Sequence, residues 1–326
     1  MLQSGQNYVK TGSLQMIIYK NNSSFKTYNC FKGGIFLLNL IDKDNTLWSF
    51  FIDNENNFCY TYSNNSPQIL LEKCTDEFDC VFDKKGNIHV AVQKVDGEIC
   101  YITHYENKWE KYIVMKNRYG KQSFSNLNLF VVMGIPHLYY TLYHNYRYYL
   151  VNHTINTNKL ISPTVLDYSY NGKFCVVYDS NIFHIVYKDE EERFIYLKYN
   201  PNNNTCEKNF ISLTQSTKDF SIAIYNGRLN IVYISRCKKH YTVNHTTNND
   251  FQIKTLGFGI DNFCIPHMFV SDSKLNIIWE ERYFLYFTKS NDCKNFSKIN
   301  ITNRNGQLVK HKYYNNKIEY KIESTY

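Results

Sequence analysis

Only seven arginines occur in the 326 residues, and four of them, Arg147, Arg193, Arg236 and Arg282, recur at spacings of 46, 43 and 46. Tyr143, His144, Tyr146, Tyr148 and Tyr149 crowd around the first, and Arg236 runs into Cys237-Lys238-Lys239-His240. A guanidinium is a planar fork that fits carboxylate, sulfate or phosphate, and tyrosine adds a stacking face and a hydroxyl. Arg147, Arg193, Arg236 and Arg282, with Tyr146, Tyr148 and Tyr149, are therefore the candidate ligand-binding set, and an anionic group is the chemistry they suit. The competing expectation is that Asp189-Glu190-Glu191-Glu192 and Glu280-Glu281 simply neutralise the neighbouring arginines.

His89, His137 and His184 also recur, one per repeat, but Asn230 and Asn276 stand in the next two repeats. Asparagine imitates a hydrogen-bonding imidazole and is a poor transition-metal ligand, so the series predicts structural, blade-to-blade hydrogen bonding and no metal. No CxxC pair or Cys/His cluster at zinc spacing is present. The ten cysteines mostly lie in apolar runs such as Phe174-Cys175-Val176-Val177, where a reduced thiol packs as a small hydrophobe. No Gly-rich phosphate loop, GxSxG or HExxH appears, and nothing among the 29 acidic residues marks a catalytic pair. No cofactor is called for, and catalysis has no sequence support.

The elements that must position these residues are strands. Tyr (30) and Phe (22) are abundant while alanine occurs only at positions 91 and 223, which disfavours helix. One pattern of alternating apolar and aromatic residues returns along the chain: Leu47–Phe51, Ile88–Val92, Pro136–Tyr140, Phe183–Tyr187, Leu229–Tyr233, Leu275–Trp279 and Ile318–Ile322. Measured at its second residue, the spacings are 41, 48, 47, 46, 46 and 43. Each interval has room for four strands. The second reads Phe78–Phe82, a turn at Asp83-Lys84-Lys85-Gly86, the His89 strand, a turn at Val95-Asp96-Gly97, Ile99–Tyr105, and Trp109–Val114.

Four antiparallel strands at such a period are the sequence form of a β-propeller. The expectation is all-β: one domain over residues 1–326, with seven four-stranded blades. The seventh supplies only two strands at its C-terminal end, about Leu308–Tyr313 and Lys317–Glu323. Leu14–Tyr19 and Phe25–Asn29 are expected to complete it, so that blade seven is shared between about 10–30 and 305–326 and the ring is closed. In that frame the four arginines fall between second and third strands, on one face.

The strand pattern, with His-Val or His-Ile before an aromatic, resembles blades of the sialidase-like propeller group. The turn Ser290-Asn291-Asp292-Cys293-Lys294-Asn295-Phe296 is similar to that group's Asp-box, Ser-x-Asp-x-Gly-x-Thr-Trp, although Lys294 holds the Gly position and the box is one residue short. The resemblance implies a propeller and a folding turn on the face away from any ligand. It implies no catalysis, because no converging arginine triad or Tyr–Glu pair is identifiable by motif.

The function expected is non-catalytic binding: a propeller presenting an aromatic and basic face to a protein or anionic glycan. The alternatives are a diverged glycan-active enzyme of the sialidase-like type, or a structural assembly component such as a spore or particle layer. A net charge of +8 permits an anionic partner, but no nucleic-acid motif accompanies it. No apolar run reaches the roughly 20 residues of a membrane span. The N-terminus lacks the plan of a signal peptide, so the expectation is a protein cytoplasmic at synthesis, with a spore or cell-surface layer as the alternative location; a monomer is expected.

Overall fold

A computed structural model describes residues 37–323, apart from 64, 117–122, 157–162, 214–215, 239, 249–251, 261–263, 282, 304–306 and 315–316. All regular elements among the described residues are strands, so no helix there is long and apolar enough to cross a membrane. Blade 1 is β1–β4 (Leu37–Ile41, Leu47–Ile52, Phe58–Tyr62, Gln68–Leu71) and blade 2 is β5–β8 (Cys74–Phe82, Ile88–Lys94, Ile99–Tyr105, Lys108–Met115). Blade 3 is β9–β12 (Ser123–Val132, Ile135–His144, Arg147–Thr154, Thr164–Ser169) and blade 4 is β13–β16 (Phe174–Asp179, Ile182–Lys188, Phe194–Asn200, Thr205–Ile211). Blade 5 is β17–β20 (Thr217–Tyr225, Arg228–Cys237, His240–Thr247, Lys254–Ile260) and blade 6 is β21–β24 (Ile265–Ser271, Lys274–Glu280, Phe284–Ser290, Asn300–Asn303). A last hairpin, β25 (Gln307–Tyr313) and β26 (Ile318–Glu323), ends the described chain.

Each blade is a meander whose four strands pair in chain order. Burial follows from stacking blades face to face. The second strands of blades 2 to 6 are largely buried on both faces, as in β6, where all of Ile88–Gln93 are covered. The outermost strands are open to solvent, partly in β8 and almost wholly in β16. The apolar clusters are correspondingly interfacial. Phe50 and Phe58 of blade 1 pack with Val90 and Ile102 of blade 2. Tyr139 of blade 3 packs with Phe183 of blade 4, and Trp279 of blade 6 with Val232 of blade 5.

Two turn chemistries set the hairpins. In Glu106-Asn107, Met133-Gly134, Asn145-Tyr146, Ser180-Asn181, Asn226-Gly227 and Asp272-Ser273 both central residues have positive φ, the geometry that matches strand twist. In a second, longer turn an aspartate accepts the backbone N–H two and four residues on. Asp42, Asp53, Asp83 and Asp189 each do this, with Asn45, Asn56, Gly86 and Glu192 at positive φ before the chain re-enters a strand.

The blade count is six, not seven. The recurring pattern marks second strands, and in the seventh copy that strand is β26, which pairs only with β25. Instead of heading a separate blade, β25 pairs in parallel with β1, Leu38 opposite Lys310 through Ile41 opposite Tyr313, and so widens blade 1 to six strands. The other side of the hairpin packs Leu308, Ile318, Tyr320 and Ile322 on Phe269 and Ile278 of blade 6. The hairpin thus bridges blades 6 and 1 and closes the ring. The expected completing strands, 14–19 and 25–29, lie outside the described residues.

Candidate functional site

In a meander the turn between second and third strands lies at the opposite end from the other two hairpins. The rim formed by these turns carries Arg147, Arg193 and Arg236; Arg282 lies outside the described residues. Arg147 opens β11, and its guanidinium carbon sits 5.4 Å from the centre of the Tyr168 ring on β12. Its Nε is 3.2 Å from Glu190 Oε1, which belongs to the next blade. Tyr149 faces Tyr168 across the strand pair, with the rings 5.2 Å apart.

Blade 4 repeats the construction. Arg193 lies over Phe210 at 4.8 Å, and Ile195 opposite Phe210 occupies the register place of Tyr149 opposite Tyr168. Its Nε donates to Asp189 Oδ2 at 2.8 Å and its Nη2 to Glu191 Oε2 at 2.6 Å. The acidic run therefore does pair with both arginines, and the guanidinium charge there is offset. Arg236 differs: its Nε donates to the Lys238 carbonyl at 3.2 Å, and among the described residues no carboxylate lies within ion-pair distance.

The three tyrosines have separate surroundings. Tyr146 is 94% exposed and stands at the second position of the Asn145-Tyr146 turn with φ +63°, a conformation costly for a bulky residue. Tyr148 packs on Tyr143 at 4.8 Å and lies so close to Gly172 that a Cβ there would come within 2.7 Å of its ring. That leaves Tyr148 wedged in the structure, whereas Tyr146 and the Tyr168 face lie open beside Arg147.

The histidine series is structural, but its bonds run within blades rather than between them. His89 Nδ1 is 2.5 Å from Tyr101 Oη and His184 Nδ1 is 2.5 Å from Tyr196 Oη, both on the neighbouring strand of the same sheet. Burial lowers the basicity of His89, His137 and His184, so they stand neutral at pH 7. Among the described residues no group of three or more His, Cys, Asp or Glu is placed to hold a metal ion.

The turn at Ser290–Phe296 folds around Asp292. Its Oδ1 accepts the N–H groups of Lys294 and Asn295 at 2.9 and 2.7 Å, Ser290 Oγ donates to it at 3.0 Å, and Phe296 pairs with Ser290. These backbone and side-chain donors hold the Asp292 carboxyl well below its ordinary range. The turn joins β23 to β24, at the end of the strands away from the arginines.

No protein-family model and no curated protein sequence matches the chain. Solved structures do. A mutant puromycin hydrolase complexed with PGG is similar with a TM-score of 0.57 and 7% identity, over 86% of this chain and 49% of that one. The BP39L lectin from Burkholderia pseudomallei is similar with a TM-score of 0.53 and 8% identity, over 77% and 79%. A triple Arg-to-Ala mutant of AofleA from Arthrobotrys oligospora gives 0.51 and 11%, over 82% and 86%. The fold is a β-propeller. At these identities the likeness is one of architecture, and the propeller's chemistry rests on its own residues.

Sequence reasoning missed one feature of this propeller: a cleft between blades 1 and 2 lined by Trp48 and His104, at the end away from the arginines. The signal was available, since Trp48 stands where the next five repeats carry His or Asn.

Proposed function

We propose that the protein is a non-catalytic carbohydrate-binding propeller that receives its glycan on the arginine rim. The observation that carries the reading is the Arg147–Tyr168–Glu190 cluster across blades 3 and 4, with Arg193 and Phe210 repeating its core. A sugar presents hydroxyls that both donate and accept, on a ring with an apolar face. An arginine held against a carboxylate keeps spare N–H donors beside an acceptor, and the aromatic ring supplies the apolar surface. Tyr146, projecting above the cluster, adds a second ring. The BP39L lectin, a sugar-binding protein by its name, shares the architecture.

Charge separates two parts of the rim. Around Arg147 and Arg193 the acidic run offsets the positive charge and suits neutral hydroxyls. Arg236, unpaired with any described acid and followed by Lys238, suits an anionic substituent such as a sulfate or sialic carboxylate. Exposed Phe258 and Tyr283 on the same rim favour a protein-linked glycan over a free one, since single sugars do not need so wide an apolar border.

The test is a glycan array probed with wild type and with Arg147→Ala/Arg236→Ala, alongside a fluorogenic glycoside panel. Retention of selected glycans, loss of a factor of about one hundred in the double variant, and no turnover are expected. Turnover, or equal binding by both proteins, would displace this reading.

A further inference from the structure

The ends of the strands opposite the arginine rim hold a second constellation. Between blades 1 and 2 lies a cleft of about 210 Å³ lined by Asp42, Trp48, Asn87, His104, Glu106 and Asn107. Trp48 is braced there by its neighbours. Its ring centre is 4.2 Å from that of Tyr62 and 5.2 Å from that of His104, which in turn lies 4.6 Å from Trp109. The indole is thus fixed in place without being fully covered.

Asp42 is the telling residue. In the four aspartate-anchored turns, Oδ1 is occupied by two backbone N–H groups. In three of them Oδ2 is also occupied: by Asn57 Nδ2 on Asp53, by Asn87 Nδ2 on Asp83, and by Arg193 on Asp189. In the fourth, the residue four places on is Thr46, and among the described residues nothing hydrogen-bonds Asp42 Oδ2. Two of these turns border the cleft, those of Asp42 and Asp83, and the one whose carboxylate itself stands in the wall is the one with an open oxygen, Asp42. The His104 imidazole likewise takes part in no hydrogen bond among the described residues, although its ring is held in place by Trp48 and Trp109. Asn87 spends its amide N–H on Asp83, which leaves its carbonyl oxygen as an acceptor at the cleft.

We infer that the cleft between blades 1 and 2 is a ligand site separate from the rim and that it takes one uncharged sugar ring. The flat C–H face of a pyranose lies on Trp48. Its hydroxyls donate to Asp42 Oδ2 and to the Asn87 carbonyl, and accept from an imidazole N–H or from the Asn107 amide. The wall carries two carboxylates and neither lysine nor arginine, so an anionic sugar is excluded by repulsion. A compact organic cation would suit the carboxylates and the indole, but it would leave the donors of His104 and Asn107 without partners, a cost that polar sites exact strongly. The volume lies below the roughly 300–1,000 Å³ of sites for drug-sized ligands, which limits the occupant to a single ring.

The chain has three tryptophans, and this makes the test direct. Trp48 and Trp109 belong to the cleft assembly, whereas Trp279 is buried in blade 6 and stacked on Tyr286 at 5.3 Å. The intact protein is titrated with methyl glycosides of neutral hexoses and N-acetylhexosamines while tryptophan emission is followed. At least one glycoside should give a saturable change at millimolar concentration. Asp42→Asn, which keeps an oxygen for the turn, should weaken it about tenfold or more. His104→Gln serves as a second variant, thermal melting verifies that both fold, and Arg147→Ala should leave the titration unchanged. The inference is overturned if no neutral glycoside changes the emission, if Asp42→Asn binds as wild type does, if Arg147→Ala abolishes the response, or if tetramethylammonium saturates the signal where glycosides do not.

Discussion

Lys312 Nζ lies 2.5 Å from Asp79 Oδ1, joining two residues 233 positions apart in a buried ion pair. Asp79 stands on the innermost strand of blade 2, and its other oxygen accepts the Leu129 N–H of blade 3 at 2.8 Å. The pair therefore ties the closing hairpin to two blades beyond the one it is hydrogen-bonded to. Burial pulls the Lys312 ammonium below its ordinary range, while Asp79 opposes that by holding the charge. Removing only one partner leaves an uncompensated buried charge, so Lys312→Met should cost about 3–5 kcal/mol. The double variant Asp79→Asn/Lys312→Met should recover part of that loss. Urea midpoints for the three proteins check it, and a single variant within about 0.5 kcal/mol of wild type would mean that the pair is idle.

Tyr146→Gly separates stability from binding. Glycine is preferred where this turn imposes φ +63°, so the change should stabilise the fold by about 1 kcal/mol. It also removes the most exposed ring of the rim, so glycan retention should fall while the melting temperature rises. A stabilised variant with undiminished binding would take Tyr146 out of the site.

Stability should fall with acid in two stages. Burial lowers His89, His137 and His184 from the ordinary 6.5, so their unfolded forms take up protons before the folded ones do. Their contribution is complete above about pH 6.5 and begins to fail below it. The second stage belongs to Glu319 of β26. Burial alone would raise it, but hydrogen bonds from Lys317, Tyr313 and Ser271 hold it down at about 2 against an ordinary 4.5. That stabilisation, on the order of 2–3 kcal/mol, is present above pH 4.5 and is lost as pH falls towards 2. Because Ser271 belongs to blade 6, the lost contact is one that closes the ring. Chemical denaturation from pH 8 to pH 2 should show the second stage in wild type and not in Glu319→Gln.

Thiol reactivity reports on both ends of the propeller. Burial pushes Cys59 and Cys74 up to about 12, whereas Cys206 and Cys237 are exposed. Of the described cysteines, only those two should react with maleimide in the native protein. Cys237 adjoins Arg236 on the rim, and Cys206 lies near the opposite end of blade 4. A bulky label on Cys237 should weaken binding to the rim, and the same label on Cys206 should not. Peptide mapping locates the labels, and equal effects would place the ligand elsewhere.

The sequence by itself determined the class of fold, the four-strand repeat and most strand positions, because the alternation of apolar and aromatic residues is a local property of each strand. Ile88–Val92 and Ile99–Tyr105 could be read directly as β6 and β7. Placing the arginines at turns between second and third strands needed only that order of strands. The number of blades was not local. The recurring pattern marks a second strand whether or not two more follow it, and only the pairing of β25 with β1 decided that the seventh copy is a closing hairpin. The histidine bonds were misplaced for a related reason: a period of about 46 suggests neighbours in adjacent blades, while the true partners, Tyr101 and Tyr196, lie 12 residues on and across one hairpin. Which charges remain available was also a tertiary matter. Glu190 meets Arg147 only because blade 4 brings its turn against blade 3, and the indole of Trp48 meets His104 only because blades 1 and 2 are stacked. Contacts made within a strand or turn are written in the nearby sequence, whereas those made between blades depend on how the whole ring closes.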